Sequence, residues 1–304
     1  MTGQRLRFFE KSLGQRHIVE SDKYLYKSPK ASHNLLVIGT GTMGQEHMYV
    51  ATLLGRARIH GIYDSRAHSM DITEDNFKRY CNDPLVRYGS LQEACTDPDI
   101  DAIMICTPNH THFDILSVAM ETGKPIFLEK PMATSIEDAK SIIDACEGYE
   151  AFVQLGLQYR YKSQYVEALN ELKQRKSLGS LKTISLSEHR PPFLDKVDQW
   201  NKFNQNTGGT LVEKCCHYFD LMNLMADAAP IRVYASGGQA VNFRDFTRDG
   251  AASDIDDHAF VIIDYANGVR GNFTLNMFCH DFTEDLTLCG DCLLYTSPSP
   301  RDRG

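Results

Sequence analysis

No stretch of this 304-residue chain is apolar for long enough to cross a bilayer, and Met1 to Glu10 lacks the apolar core of a secretory signal. Cysteine pairs at C-x-x-C spacing are also absent. The nine cysteines are scattered and odd in number, which fits reduced cytoplasmic thiols better than a disulfide framework or a structural zinc site. Excess positive charge is missing too, since the formal net charge is −8. Nucleic acid and anionic membranes select basic faces, so neither is expected as a main partner. What remains is globular composition, 42% hydrophobic and 24% charged, in a chain long enough for two domains of ordinary size. The reading is a soluble, cytoplasmic protein.

The chain is organised around Leu35-Leu36-Val37-Ile38-Gly39-Thr40-Gly41-Thr42-Met43-Gly44. Four apolar residues read as a buried parallel strand, and glycines at G-x-G-x-x-G spacing follow at once, opening a segment of helical apolar spacing. Each glycine has its own task. Gly39 permits the tight turn, Gly41 lets a pyrophosphate approach the backbone, and Gly44 lets the helix pack close to the strand. Thr40, Thr42 and Met43 complete the turn, and the free amides of the helix start suit phosphate. Such a motif alone is weak, but about twenty residues later a second apolar run, Ile59 to Tyr63, ends in Asp64, where a carboxylate binds the adenosine ribose. That carboxylate repels a 2′-phosphate and so favours NAD over NADP, although Arg66 could receive such a phosphate.

From Asn34 the pattern alternates strand and helix. Helices are expected near Asp71 to Tyr80, at Leu91 to Ala94 and after Thr107-Pro108-Asn109. Strands are expected at Val86, Ala102 to Cys106, Pro125 to Leu128 and Ala151 to Leu155. Thr134-Ser135-Ile136-Glu137 resembles a capping box, followed by a helix with an apolar face of Ile136, Ala139, Ile142 and Ile143. This is α/β, a doubly wound parallel sheet over residues 34–157, and it gathers Gly39, Asp64, Thr107, Asn109, Glu129 and Lys130 on one rim. Past Gly156 the texture changes to helices at about Ser163 to Arg175 and Leu211 to Met225. Strands are expected near Ile184 and at Ile231 to Ala235, Ala259 to Tyr265 and Val269 to Met277, with Asn267-Gly268 as a hairpin turn. Residues 158–291 therefore read as an α+β domain with a mainly antiparallel open sheet. Residues 1–33 fit either a leader or a packing arm. Residues 292–304, ending in a proline-rich, charged stretch, read as a non-native tail behind a truncated second domain.

Two constellations carry chemistry. At Glu129-Lys130-Pro131, proline can hold a cis or sharply turned peptide that aims the Lys130 ammonium beside the nicotinamide; a solvated surface lysine fits the same residues. In Gly208 to Asp220, a continuous helix puts Glu213, His217 and Asp220 on one face, as would an ordinary surface ion pair. Cys215, Cys216 and His217 make a poor metal site, because adjacent helical cysteines diverge, so no metal is expected. Arg160, Arg190, Lys196 and Trp200 are candidates for a substrate rim.

Taken together, the glycine turn, Thr107-Pro108-Asn109 with His112, Gly123-Lys124-Pro125, Glu129-Lys130-Pro131, and Gly208-Gly209 ahead of an acid-x-x-x-His-x-x-Asp segment resemble the glucose-fructose oxidoreductase and inositol dehydrogenase (Gfo/Idh/MocA) family over Asn34 to Gly290. The resemblance implies a Rossmann domain, a C-terminal α+β domain whose open sheet often forms the interface of a homo-oligomer, and NAD(P)-dependent oxidation of a polyol's secondary hydroxyl, or its reverse. Lys130 falls on the family's catalytic lysine and His217 on its histidine. Glu213 stands where an aspartate is usual, and Lys214 is unusual within the motif. A non-catalytic NAD(P) sensor and an NAD-dependent glycosidase are the other readings on this fold; the lysine and histidine weigh against the first, and the absence of the glycosidases' own histidine motif weighs against the second.

Overall fold

The computed structural model describes residues 31–297. Expectations for residues 1–30 and 298–304 lie outside the described residues. The chain divides into two compact units, Met1–Gly156 and Leu157–Gly304.

In the first unit the strands are β1 (His33–Ile38), β2 (Ala57–Tyr63), β3 (Val86–Arg87), β4 (Ala102–Ile105), β5 (Ile126–Leu128) and β6 (Val153–Leu155). They form one sheet in the order β3-β2-β1-β4-β5-β6, parallel throughout. Apolar side chains on both faces of β1 explain its uninterrupted run. Leu36 and Ile38 join one core cluster with Ile103 and Leu128, whereas Val37 joins another with Met48, Ile59 and Ile62. Each such side chain, once fully buried, contributes about 1.5–3 kcal/mol. The helices are α1 (Thr42–Leu54), α2 (Ala67–Phe77), α3 (Leu91–Thr96), α4 (His112–Met120) and α5 (Ile136–Glu147).

Local corrections are physical. The α5 cap is Ser135, whose side chain accepts from the Asp138 amide, so the box expected from Thr134 is shifted by one residue. The expected apolar face of α5 is mostly outside: Ile136 is 67% and Ile143 50% exposed, and Ile142 alone of the four is fully buried. α2 begins about a turn earlier than its periodicity suggested.

The second unit holds β7 (Leu181–His189), β8 (Pro230–Gly238), a two-stranded ribbon of β9 (Thr247–Arg248) and β10 (Ala251–Ala252), then β11 (His258–Tyr265), β12 (Arg270–Asn276), β13 (Thr283–Gly290) and β14 (Leu294–Ser297). Its large sheet runs β14-β13-β7-β12-β11-β8 and is antiparallel except where β7 meets β12. The β11–β12 hairpin turns at Asn267-Gly268, with Gly268 at φ 89°. Helices α6 (Ser163–Leu169), α7 (Asn204–Thr207), α8 (Thr210–Glu213) and α9 (Cys216–Ala226) complete it, and one turn of π-helix at Asn170–Gln174 extends α6. Tyr218, Leu221, Met222 and Met225 of α9 pack with Val261, Phe273, Leu275 and Leu286. Leu294 to Ser297 pair with β13 as β14, and Ser297 is buried.

The single helix expected from Leu211 to Met225 is two. Glu213, Lys214 and Cys215 are consecutive and all buried, yet successive helical positions point about 100° apart, so no regular helix could bury all three on one side. The chain leaves α8 at Glu213 and re-enters helix at Cys216, with the Tyr218 amide bonding the Cys215 carbonyl at 2.9 Å.

Candidate active site

The glycine turn connects β1 to α1 with little room to spare. Gly39 sits at φ 89°, and a Cβ there would lie 2.7 Å from the Cys106 carbonyl carbon and the Thr107 amide. A Cβ on Gly44 would lie 2.1 Å from the Gly39 carbonyl oxygen, so this glycine is what lets α1 close on the strand. Gly41 differs: a Cβ there meets nothing within 4 Å. It is the N-cap of α1 and no side chain caps that helix start, so the amides of Thr42, Met43 and Gly44 head a helix whose dipole favours an anion. Open space before an uncapped helix fits a pyrophosphate.

Asp64, at the end of β2, is tied to that turn. Its Oδ2 accepts from the Thr40 amide at 2.8 Å and hydroxyl at 3.1 Å, and its Oδ1 accepts from the Arg66 amide at 2.9 Å. Thr73 and Gln45 donate to the Thr40 carbonyl. The carboxylate expected to meet a ribose is therefore held in place by the phosphate-binding loop itself.

Along the rim, Asn109 is buried and its Nδ2 has no hydrogen-bond partner. The Thr111 hydroxyl donates to the Pro108 carbonyl at 2.7 Å and can accept from the Thr107 hydroxyl 2.9 Å away. His112, with no exposure, places Nδ1 2.8 Å from the Pro131 carbonyl and Nε2 3.0 Å from the Thr107 carbonyl. It thus bridges the two strand-end loops. Both acceptors only accept, so a neutral ring makes one of these bonds and only the imidazolium makes both. Burial outweighs the pull of the carbonyls and of Glu129 and sets its pKa below the ordinary 6.5.

Glu129 is buried, with Oε2 accepting from the Lys130 amide at 3.0 Å and Oε1 2.6 Å from His47 Nε2 on α1. The Lys130–Pro131 peptide is cis. His47 is absent from the sequence reading. It lies three residues after Gly44, on the same face of α1, and that spacing was the available signal.

In the second unit His217, 2% exposed, stands near the start of α9. Its ring stacks on Tyr159, with centroids 4.2 Å apart and planes 10° from parallel. The Tyr159 hydroxyl accepts from Lys214 Nζ at 2.7 Å, and that ammonium lies 3.2 Å from Glu188 Oε1. Arg190 Nη1 is 3.4 Å from the same oxygen. Burial raises the Tyr159 phenol above its ordinary range, which keeps it protonated at neutral pH. Glu284 accepts from Lys162 at 2.6 and 2.9 Å, from Gln164 at 3.0 Å and from the Tyr218 hydroxyl at 2.6 Å.

Glu213 is buried beside this network in sequence, at the end of α8 and not on one helical face with His217 and Asp220. Asp220 is instead held by Arg160, at 2.5 and 2.7 Å through its two oxygens. Of the expected rim residues, Arg190 belongs to the Glu188 cluster, while Trp200 lies in the short 3₁₀ segment Val197–Lys202 that Lys196 precedes. Cys215 is fully buried and its thiol pKa is pushed up by that burial, which disfavours the thiolate a metal would need. Glu188, Glu284, Lys162 and Tyr159 were not singled out from sequence. For the glutamates the signal existed: Glu188 shares the inward parity of Ile184 and Leu186, and Glu284 that of Leu286 and Leu288.

With this geometry in view, comparison with known proteins is informative. Residues 33–157 match the family model described as the oxidoreductase family, NAD-binding Rossmann fold, and residues 171–288 match the same family's C-terminal alpha/beta domain. An uncharacterized oxidoreductase, YrbE of Bacillus subtilis, is 26% identical over 210 residues, covering 68% of this chain and 57% of its own. The inositol 2-dehydrogenase of Paracoccus denitrificans is 36% identical over 137 residues, 43% of this chain and 38% of its own. This chain therefore spans little more than half the length of one relative and less of the other. The crystal structure of myo-inositol dehydrogenase from Lactobacillus casei in complex with NAD(H) and myo-inositol superposes with a TM-score of 0.73 at 22% identity, over 88% of this chain and 74% of that one. At that identity the likeness is one of fold. No helix among the described residues is long and apolar enough to cross a membrane.

Two outcomes are expected. Gly44→Ala forces a shift of the helix and lowers stability by about 1–3 kcal/mol, whereas Gly41→Ala lowers it by under about 1 kcal/mol but weakens NAD binding; denaturant unfolding and NAD titration by calorimetry separate the two. For His112, the depressed folded pKa means that its stabilising contribution is present above pH 6.5 and is lost as pH falls through the folded value, because only the unfolded ring takes up the proton. The melting-temperature gap between wild type and His112→Asn should therefore narrow from pH 7.5 to 5.5, and a constant gap would contradict this assignment.

Proposed function

The chain belongs to the oxidoreductase family defined by these two domains, and from that premise we propose that it transfers hydride between a secondary hydroxyl of a sugar, inositol or related polyol and a nicotinamide, with NAD preferred over NADP. The observation that carries the reading is a buried imidazole, His217, held by an aromatic stack in the unit that follows an NAD-binding Rossmann domain.

When bound, the nicotinamide supplies the hydride acceptor. The residues that would hold the cofactor are those of the first unit's rim: the amides after Gly41 for the pyrophosphate, Asp64 for the ribose, and Thr107, Pro108, Asn109, His112 and Glu129 along the strand ends. Asp64 supports the preference for NAD, because a carboxylate fixed by three donors cannot turn away from a 2′-phosphate; Arg66 is the residue that would soften it.

Oxidising a carbinol also releases the hydroxyl proton, so a base must reach that oxygen to about 3 Å. His217 is assigned that role because imidazole changes charge near neutral pH. Lys130 is assigned the stabilisation of negative charge growing on the same oxygen. Glu213 orients His217 or binds neighbouring hydroxyls. Arg160, Asp220, Arg190 and Trp200 are assigned to the substrate rim. Arg160 is paired with Asp220, whereas Arg190 and Lys214 share the single carboxylate of Glu188. The partner is a homo-oligomer's second copy, supported by Tyr234, Phe260 and Ile262, which neighbour one another on β8 and β11 and are 67, 57 and 51% exposed.

A panel of inositols, aldoses and sugar acids with NAD and NADP, followed by nicotinamide absorbance, tests the reading. Reduced cofactor should accumulate with a member of the panel, and Lys130→Ala and His217→Ala should each lower kcat by about 10²–10⁴-fold. Wild-type rates in either variant would remove that residue from the mechanism. NAD binding with no turnover across the panel would overturn the dehydrogenase in favour of a binding protein.

A further inference from the structure

Burying a lysine and a glutamate removes two charges from water, at an effective cost of several kcal/mol per ion, and a well-packed apolar pair is often as stable or more so. Lys214 and Glu188 are 9% and 0% exposed, and Glu188 Oε2 has no hydrogen-bond partner. Stability alone gives this pair no reason to be ionic. Its geometry does. Lys214 Nζ donates to the Tyr159 hydroxyl at 2.7 Å, and Tyr159 is the ring on which His217 lies.

Tyr159 is restrained on every side. The imidazole centroid is 4.2 Å from its own and the Lys162 ammonium 3.8 Å from it. Tyr218 meets its edge at 5.4 Å and 78°. Lys162 is itself fixed by Glu284. The Lys214 hydrogen bond holds the hydroxyl end of the phenol.

We propose that Lys214, anchored on Glu188, is a positioning residue that sets the plane of His217 through Tyr159. The unusual lysine of the Glu213-Lys214-Cys215-Cys216-His217 segment is then a positioning device for the imidazole. The catalytic consequence rests on the reading of His217 as the base; the positioning itself does not. A stack at 10° and 4.2 Å leaves the ring nitrogens pointing along one plane, and a displacement of about 1 Å at a reacting group can lower a rate about a hundredfold.

Lys214→Met alone would leave the buried Glu188 carboxylate with Arg190 as its remaining cation, so the test uses Glu188→Gln with Lys214→Met, a neutral pair of similar volume, beside Glu188→Gln alone as the control for Arg190, Tyr159→Phe and the conservative Lys214→Arg. Nuclear magnetic resonance of the His217 ring, identified by its loss in His217→Gln, reads the stack without any substrate: the ring protons should be shifted upfield by Tyr159 in wild type and Lys214→Arg. They should return toward free-imidazole positions in the neutral pair. With myo-inositol and NAD, kcat should fall about ten- to a hundredfold in the neutral pair and in Tyr159→Phe, with KM for NAD within about twofold. Adding Tyr159→Phe to the neutral pair should slow it no further, because all three act along one path.

Unmoved His217 resonances in the neutral pair would overturn the proposal and leave the base assignment intact. Full turnover in His217→Ala would remove the base while leaving the measured stack unaffected.

Discussion

Two carboxylates stand directly opposite each other on neighbouring strands of the second unit. Glu188 on β7 is in register with Glu284 on β13, and neither is more than 1% exposed. Like charges at such a pair repel, and burial strengthens the repulsion, so each needs a cation of its own. Glu284 takes Lys162, and Glu188 takes Lys214 and Arg190. Much of the surroundings of His217 follows from this demand. Lys214 must turn inward immediately before α9, which contributes to dividing the expected helix, and its ammonium reaches the phenol beneath the imidazole. Lys162 must lie over that same phenol to reach Glu284. A sheet that carries two inward glutamates thereby dictates where the histidine's neighbours lie.

The first unit solves a different problem, that of leaving room. Gly39 and Gly44 are glycines because the backbone passes too close for any Cβ, and Gly41 faces open space. The acid at the end of β2 is bound to the turn, Glu129 is bound to His47 of α1, and His112 joins the loops after β4 and β5. Asp64, Glu129 and His112 are thus each held by backbone groups or a neighbouring side chain, so much of the rim is organised by the fold itself.

Much of this was legible in the sequence where burial leaves a continuous mark. Parallel strands covered on both faces read as apolar runs, which is why β1, β2, β4 and β5 could be anticipated. The glycine turn, Asp64 and the Lys130–Pro131 turn carry local signatures of backbone geometry and could be read in place. Elements specified by long-range charge were not visible in the same way. Lys214, at the break, pairs with Glu188, 26 positions away in the numbering, and helical spacing knows nothing of that contact. Ser135 and Thr134 are equivalent by composition, and the choice between them is made by where α5 docks. Exposed Ile136 and Ile143 show that apolar periodicity marks a face without proving that it is covered.

Transfer of the carbinol hydrogen itself to the cofactor is the central claim, and isotope labelling addresses it without reference to any single residue. With a polyol substrate deuterated at the carbinol carbon, the account predicts deuterium at C4 of the reduced nicotinamide and a slower turnover. Reduced nicotinamide free of deuterium, or substrate conversion with no net cofactor reduction, would contradict it.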